Sequence, residues 1–180
     1  MNNLATSLPE GSYSVDPAHS HVGFSVKHMG IATVRGKFED FSGRVELKDG
    51  ELTAEGTVKV DSITTGQPDR DSHLKSGDFF LAEEYPTLTF RVTNTEGTTD
   101  DLELTGDITI RGVTKPITLK GEATAGGQDP WGNERIGFDL SGKLNRQDFG
   151  LSWSQTLANN SLLVSNDVKL QISASLVKAA

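Results

Sequence analysis

Apolar residues fall at every second position in one segment of the chain after another. Val22, Phe24, Val26 and His28 share one parity while Gly23, Ser25 and Lys27 share the other, the period-two pattern of a half-buried strand. Similar sets follow at Val34 and Phe38, at Phe41, Val45 and Leu47, at Leu52, Ala54, Val58 and Val60, and at Leu88, Phe90 and Val92. Others run through Leu102, Leu104, Ile108 and Ile110, through Ile117, Leu119 and Ala123, through Ile136, Phe138, Leu140 and Leu144, and through Val168, Leu170, Ile172, Ala174 and Leu176. The pattern predicts at least eight amphipathic strands. Lys48-Asp49-Gly50 is a hairpin signal, Glu39-Asp40 a short joint and 94–100 a polar loop, so neighbouring strands are expected to pair antiparallel.

Many strands with one apolar face fit a closed barrel or a two-sheet sandwich. The length of the strands and the glycines at inward parity (Gly36, Gly43, Gly56, Gly106, Gly121 and Gly142) favour an all-β, extended antiparallel barrel of about eight strands. These glycines either leave space in the lumen or mark bulges and bends. One segment breaks the alternation. Pro68 to Gly77 reads as a short helix across one mouth, with proline in its first turn and Gly77 as a left-handed stop, and Asp78-Phe79-Phe80-Leu81 and Tyr85-Pro86 add aromatic surface beside it. No repeat or low-complexity tract divides the chain, which is expected to be one domain, 12–178, behind a flexible N-terminal segment, 1–11.

Composition agrees with strands: threonine outnumbers alanine, and glycine stands at 19 of 180 residues. The absence of cysteine excludes disulfides, thiolate metal sites and cysteine nucleophiles. A net charge of −8 repels phosphate backbones and anionic headgroups, so nucleic acid is not an expected partner. No apolar run approaches the roughly 20 residues of a membrane helix, and Met1 to Gly11 lacks the basic n-region of a signal peptide. The expected location is cytoplasmic, or periplasmic or secreted if the N-terminus has been trimmed.

The parity assigns to the lumen Phe24, Val26, Val34, Phe38, Val58, Phe90, Leu104, Ile108, Phe138, Leu140, Leu170 and Ile172, with Lys27, Arg35, Arg91 and Lys143 wet on the outside. His28 ends an inward set and needs a polar partner, either a ligand headgroup at the mouth or a backbone carbonyl. Arg70, Asp71 and His73 cluster in the helix, as ligand contacts or as a network that pins a loop. His19 and His21 beside Asp16 make half a metal site and lack further ligands, and no metal or cofactor is expected. Without a nucleophile elbow, a carboxylate dyad or a phosphate loop, no catalytic set is visible.

Several stretches together resemble the YceI-like family of lipocalin-like, polyisoprenoid-binding proteins. They are Tyr13-Ser14-Val15-Asp16-Pro17-x-His19-Ser20 with Phe24-x-Val26-x-His28, then Val34-Arg35-Gly36-x-Phe38 and Phe41-x-Gly43. Arg70-Asp71-x-His73-Leu74-x-Ser76-x-Asp78-Phe79-Phe80 with Tyr85-Pro86 follows, then Gly106-x-Ile108-Thr109-Ile110-Arg111-Gly112-Val113-Thr114-Lys115-Pro116, Arg146-x-Asp148-Phe149-Gly150 and the closing strand from Val168 to Leu176. The resemblance implies a lipocalin-like barrel whose lumen takes a polyisoprenoid, an isoprenoid quinone or a related lipid for storage or transport, without catalysis. It carries the family's polar positions onto Asp16, His19, His28, Arg70, Asp71, His73, Arg111 and Arg146. The competing expectations are an enzyme on a small apolar substrate, with His28, Asp71 and His73 as acid–base groups, and a scaffold with an incidental cavity. A homodimer is left open as the assembly.

Overall fold

In the computed structural model, which describes residues 7–160 and 162–179, the alternating segments form an eleven-stranded antiparallel sheet. Strands β1 (Gly11–Val15) and β2 (His21–His28) pair with successive stretches of the last strand, β11 (Val164–Lys178), and so make one line broken by a 3-10 turn at Pro17–His19. Pro17 lacks the N–H that the ladder would need there. Asp16 caps the turn, its carboxylate accepting from the Ala18 N–H at 3.1 Å. Strands β3 (Ala32–Phe38) and β4 (Phe41–Lys48) repeat the arrangement: β3 pairs with β2, β4 pairs with β1, and Glu39-Asp40 is the joint.

Strand β5 (Glu51–Lys59) pairs with β4 and, past a 3-10 turn at Val60–Ser62, continues as the two-residue β6 (Ile63–Thr64) beside the end of β3. The meander β7 (Thr87–Gly97), β8 (Leu102–Ile110), β9 (Val113–Gln128) and β10 (Glu134–Asn145) then leads to β11, which returns to β1. The ring β1-β4-β5-β7-β8-β9-β10-β11 is therefore a closed barrel of eight strands. At the hairpins β4–β5 and β8–β9 the turn pairs Asp49-Gly50 and Arg111-Gly112 all have positive φ, the mirror-image turn whose twist matches the flanking strands.

The ring is complete at one end and open-shouldered at the other, because Ala32 to Gly36 of β3 pair with β2 alone. Into that shoulder goes the helix α1 (Pro68–Lys75), followed by a turn-rich lid up to Pro86. The helix stops two residues short of the predicted Gly77. Ser76 ends it, with its N–H and hydroxyl both donating to the His73 carbonyl, and Leu81 rather than Gly77 takes the left-handed backbone conformation.

Two packed clusters divide the interior. Leu8, Tyr13, Leu102, Ile136 and Leu176 belong to the cluster at the closed end, while Phe79, Ile110, Phe149 and Leu151 form a second under the lid. The described part of the predicted flexible segment is docked onto the first: Leu8 is 3% exposed, and the Tyr13 hydroxyl donates to the Pro9 carbonyl at 2.7 Å. Met1 to Thr6 of that segment lie outside the described residues. Charge covers the outer face, the inverse of a lipid-facing barrel. Among the described residues, no helix is long and apolar enough to cross a membrane.

Candidate functional site

Between the two clusters the barrel holds a partly open cavity of about 280 Å³ with an almost wholly apolar wall. Antiparallel register puts directly opposed residues on one face, so Phe24, Val26, Phe90, Leu104, Ile108, Phe138, Leu140, Leu170 and Ile172 converge on it from five strands, with Phe38 of β3 and Val58 of β5 beside them. Val34 is the exception among the residues assigned to the lumen. It stands opposite Val26 on the half of β3 that rises past the closed ring, half-buried but off the cavity wall. Lys27, Arg35, Arg91 and Lys143 are exposed on the outer face.

The inward glycines act differently from an allowance of empty space. A Cβ at Gly36 would overlap the ring of Phe24, its cross-strand partner, and one at Gly106 would come within 2.7 Å of the Phe90 ring. At Gly142 the obstacle is Leu119 Cδ2 at 2.6 Å, at Gly43 it is Val15 Cγ2 at 2.9 Å, and at Gly121 it is the Asp139 backbone. Only Gly56 faces open space, with no atom nearer its Cβ position than the Ser42 carbonyl at 3.6 Å. Glycine thus lets large side chains lie flat along the wall, which shapes the lumen rather than emptying it.

The roof was only partly legible in the sequence. Leu74 of α1, Phe79, Phe80, Phe149 and Leu151 all line the cavity from above. Phe79 is 6% exposed, so the aromatic pair expected as surface is instead a plug. Phe80 meets Phe38 edge-on at 6.2 Å, and Phe38 tilts against Phe24 at 5.8 Å, which ties the lid to the wall. The 3.6-residue and two-residue periods are both absent from 76–86 and 146–163. Their contribution could be found only from the concentration of Phe79, Phe80, Phe149 and Trp153 in otherwise polar loops.

The four polar residues expected at the mouth do not form one site, and none of them lines the cavity. Arg70 and Asp71 both grip Thr65, the former donating from Nε to Thr65 Oγ1 at 2.7 Å and the latter accepting from the Thr65 N–H and hydroxyl at 2.8 and 2.6 Å. They tie α1 to the segment after β6. His73 pairs with Asp78 at 2.9 Å and sits edge-on to both Phe79 and Trp153 at 5.1 Å. His28 ends β2 opposite Ala32 and Val164, away from the other three.

Two arginines complete the lid. Arg111 donates from Nη1 to the carbonyls of Gly77 and Phe79 at 2.9 and 2.8 Å, and to that of Gly150 at 3.3 Å. Arg146, 3% exposed, donates to four carbonyls, those of Leu151, Trp153, Val164 and Ser165, at 2.7 to 3.2 Å. Burial without a carboxylate lowers its pKa from the ordinary arginine value. Each side chain gathers several backbone carbonyls from separate segments, which identifies them as clamps.

At the closed end, Asp16 accepts from Arg135 at 3.0 Å and pairs with His19 at 2.8 Å, so two of the three residues that suggested half a metal site belong to a turn brace, while the His21 ring lies over Gly23. Among the described residues, no cluster of three or more histidines and carboxylates could hold a metal. Arg135 also binds Asp129, whose carboxylate accepts from the Trp131 and Asn133 N–H groups of the β9–β10 turn. These donors, Arg135 first, hold the Asp129 carboxyl down at about 2.

A closed antiparallel barrel, charged outside, apolar within and roofed by a helix and two clamped loops, is a lipocalin-like architecture built around an internal cavity. The YceI-like domain matches residues 13–176, and the chain belongs to that family. It is 37% identical over 152 residues to protein YceI of Escherichia coli O17:K52:H18 (strain UMN026 / ExPEC), covering 82% of this chain and 80% of that protein. The crystal structure of the Campylobacter jejuni YCEI protein superposes with a TM-score of 0.72 at 35% identity, covering 92% of this chain and 96% of that one. A polyisoprenoid binding domain from Saccharophagus degradans shares the fold at a TM-score of 0.70 and 16% identity, covering 93% of this chain and 98% of that one.

Proposed function

We propose that this protein is a non-catalytic binder of a long apolar or amphiphilic molecule, a polyisoprenoid or related lipid, held in the barrel lumen for storage or transport. The observation that carries this reading is the 280 Å³ barrel cavity, whose wall offers hydrocarbon an apolar surface and almost no hydrogen-bonding group. A cavity of about 150 Å³ admits benzene, so this one has room for roughly ten carbons, or two isoprene units. At about 0.8 kcal/mol per buried carbon group that gives roughly 8 kcal/mol before ordering costs. A longer chain has to displace the Phe79 and Phe80 plug or leave by the shoulder beside β3. The fold shared with a polyisoprenoid binding domain supports the same class of ligand.

An enzyme using His28, Asp71 and His73 is the less favoured reading, because none of the three lines the cavity and two of them already have side-chain partners. Gentle denaturation of the purified protein, organic extraction and mass spectrometry test the proposal. A stoichiometric prenyl or long-chain lipid is the expected result. An empty protein that also fails to take up a fluorescent prenyl probe overturns it.

A further inference from the structure

The outer face carries a feature unrelated to the lumen. Across β9, β10, β11, β2 and β3 it is hollowed into an open trough of about 1160 Å³. Register places its side chains in two transverse rows. In one, Lys143 stands opposite Lys169, Lys169 opposite Ser25, and Ser25 opposite Arg35. In the other, Lys120 stands opposite Ser141, Ser141 opposite Gln171, Gln171 opposite Gly23, and Gly23 opposite Lys37.

Neither row contains an acid. The trough holds five of the chain's 17 basic residues and, with Glu39, one of its 25 acidic ones. Three cations have carboxylate neighbours: Lys143 pairs with Asp167 at 3.1 Å, Lys37 with Glu39 at 3.5 Å and Lys120 with Glu103 at 3.9 Å. Among the described residues Lys169, inside the first row, and Arg35, at its β3 end, have no ionic partner. Like charges directly opposed across a ladder, as at Lys143 and Lys169, destabilise a sheet. A protein of net charge −8 that gathers cations this way has built a local field opposite in sign to its own.

We infer that the trough is a docking site for an extended acidic segment of a partner protein. The shape selects the occupant. Ser25 and Ser141 give it a low floor between longer basic side chains, with the exposed His21 ring lying over the buried Gly23, a recess that a rod of chain can enter and a flat bilayer cannot. Four inter-strand steps make it roughly 19 Å long, the length of about six residues of extended chain. Carboxylates on alternate residues of such a segment, roughly 7 Å apart, come within reach of the flexible ends of Lys169 and Arg35, which stand two inter-strand steps apart in one row.

The test is fluorescence anisotropy of a labelled decapeptide of alternating Glu and Ser. The expected result is saturable binding that weakens steeply between about 0.02 M and about 0.3 M salt. The double variant Lys169→Glu/Arg35→Glu is expected to bind about tenfold more weakly. The control Lys48→Glu/Lys59→Glu makes the same charge change on β4 and β5, across the barrel, and is expected to bind as the parent does. No binding, or equal losses in the two double variants, overturns the inference. So does capture of the protein by phosphatidylglycerol vesicles with no affinity for the peptide, or self-association in sedimentation that the Lys169→Glu/Arg35→Glu variant abolishes. Uptake of a prenyl probe into the lumen is expected to be the same in all variants, which keeps this test separate from that of the proposed ligand.

Discussion

Replacing Arg146 with methionine keeps the aliphatic bulk and removes every donor. Four backbone carbonyls then lose their partners, with the Leu151 carbonyl in a buried position and those of Trp153, Val164 and Ser165 in partly buried ones. A buried acceptor left unsatisfied costs about 1–3 kcal/mol, and a partly buried one less because water reaches it. Removing a lone buried cation relieves its desolvation, which works in the opposite direction. The carbonyls win, since a guanidinium solvated by four of them has already replaced most of its water. The expected net loss is about 3–5 kcal/mol in urea denaturation, or a fall in Tm of roughly 6–20 °C. Arg146→Lys is expected to recover only part of this, because one ammonium cannot span four divergent carbonyls. The residues that come loose, Leu151 and Trp153, belong to the lid, so a bound prenyl probe is expected to dissociate faster from whichever variant stays folded. A methionine variant that loses less than about 1 kcal/mol would refute the clamp argument.

Phe90→Asp or Ile108→Asp places an unpaired charge in the cavity wall and is expected to abolish uptake of a prenyl probe; a variant with parental circular dichroism and parental affinity would remove the lumen as the site. Gly36→Ala pushes the Phe24 ring into the lumen and is expected to weaken probe binding, with Phe24→Leu restoring it; failure of the second change to rescue the first would contradict the role assigned to this glycine. Asp129, held at about 2 in the folded chain against about 3.9 unfolded, contributes stability that is present above pH 4 and is lost as pH falls from about 4 towards 2. Asp129→Asn is therefore expected to flatten that part of an acid denaturation curve, and an unchanged curve would show that the Arg135 pair is not linked to folding.

Most of the barrel was legible because the strand period is local. Each run of alternating residues announces its own inward face, and eleven of the twelve residues read as inward do line the cavity. Val34 was misplaced by information the period lacks: parity says which way a side chain points but not whether the ring is closed at that height. The glycines failed similarly. Gly36 and Gly106 look like missing volume in the sequence, and only the cross-strand register shows that Phe24 and Phe90 occupy it. The roof was the least readable part, since 76–86 and 150–160 lack regular strands and helices and their burial depends on contacts made far along the chain.

The polar residues of the roof follow from the demands of an apolar tube. A barrel wall satisfies its own backbone through the ladder, whereas a lid of irregular chain presents carbonyls that no strand will pair and that the dry interior will not hydrate. Arg111 and Arg146 between them supply donors to seven carbonyls, five in the lid loops and two, Val164 and Ser165, at the start of β11. Where α1 meets Thr65, Arg70 donates to the Thr65 carbonyl in the same way, while Asp71 accepts from the Thr65 N–H. Side chains that read in sequence as a headgroup site are therefore already committed to holding the lid shut. On the proposed function, a chain that enters through the lid has to act against these bonds, and weakening them is expected to speed exchange of a bound prenyl probe while leaving its contacts with the barrel wall untouched.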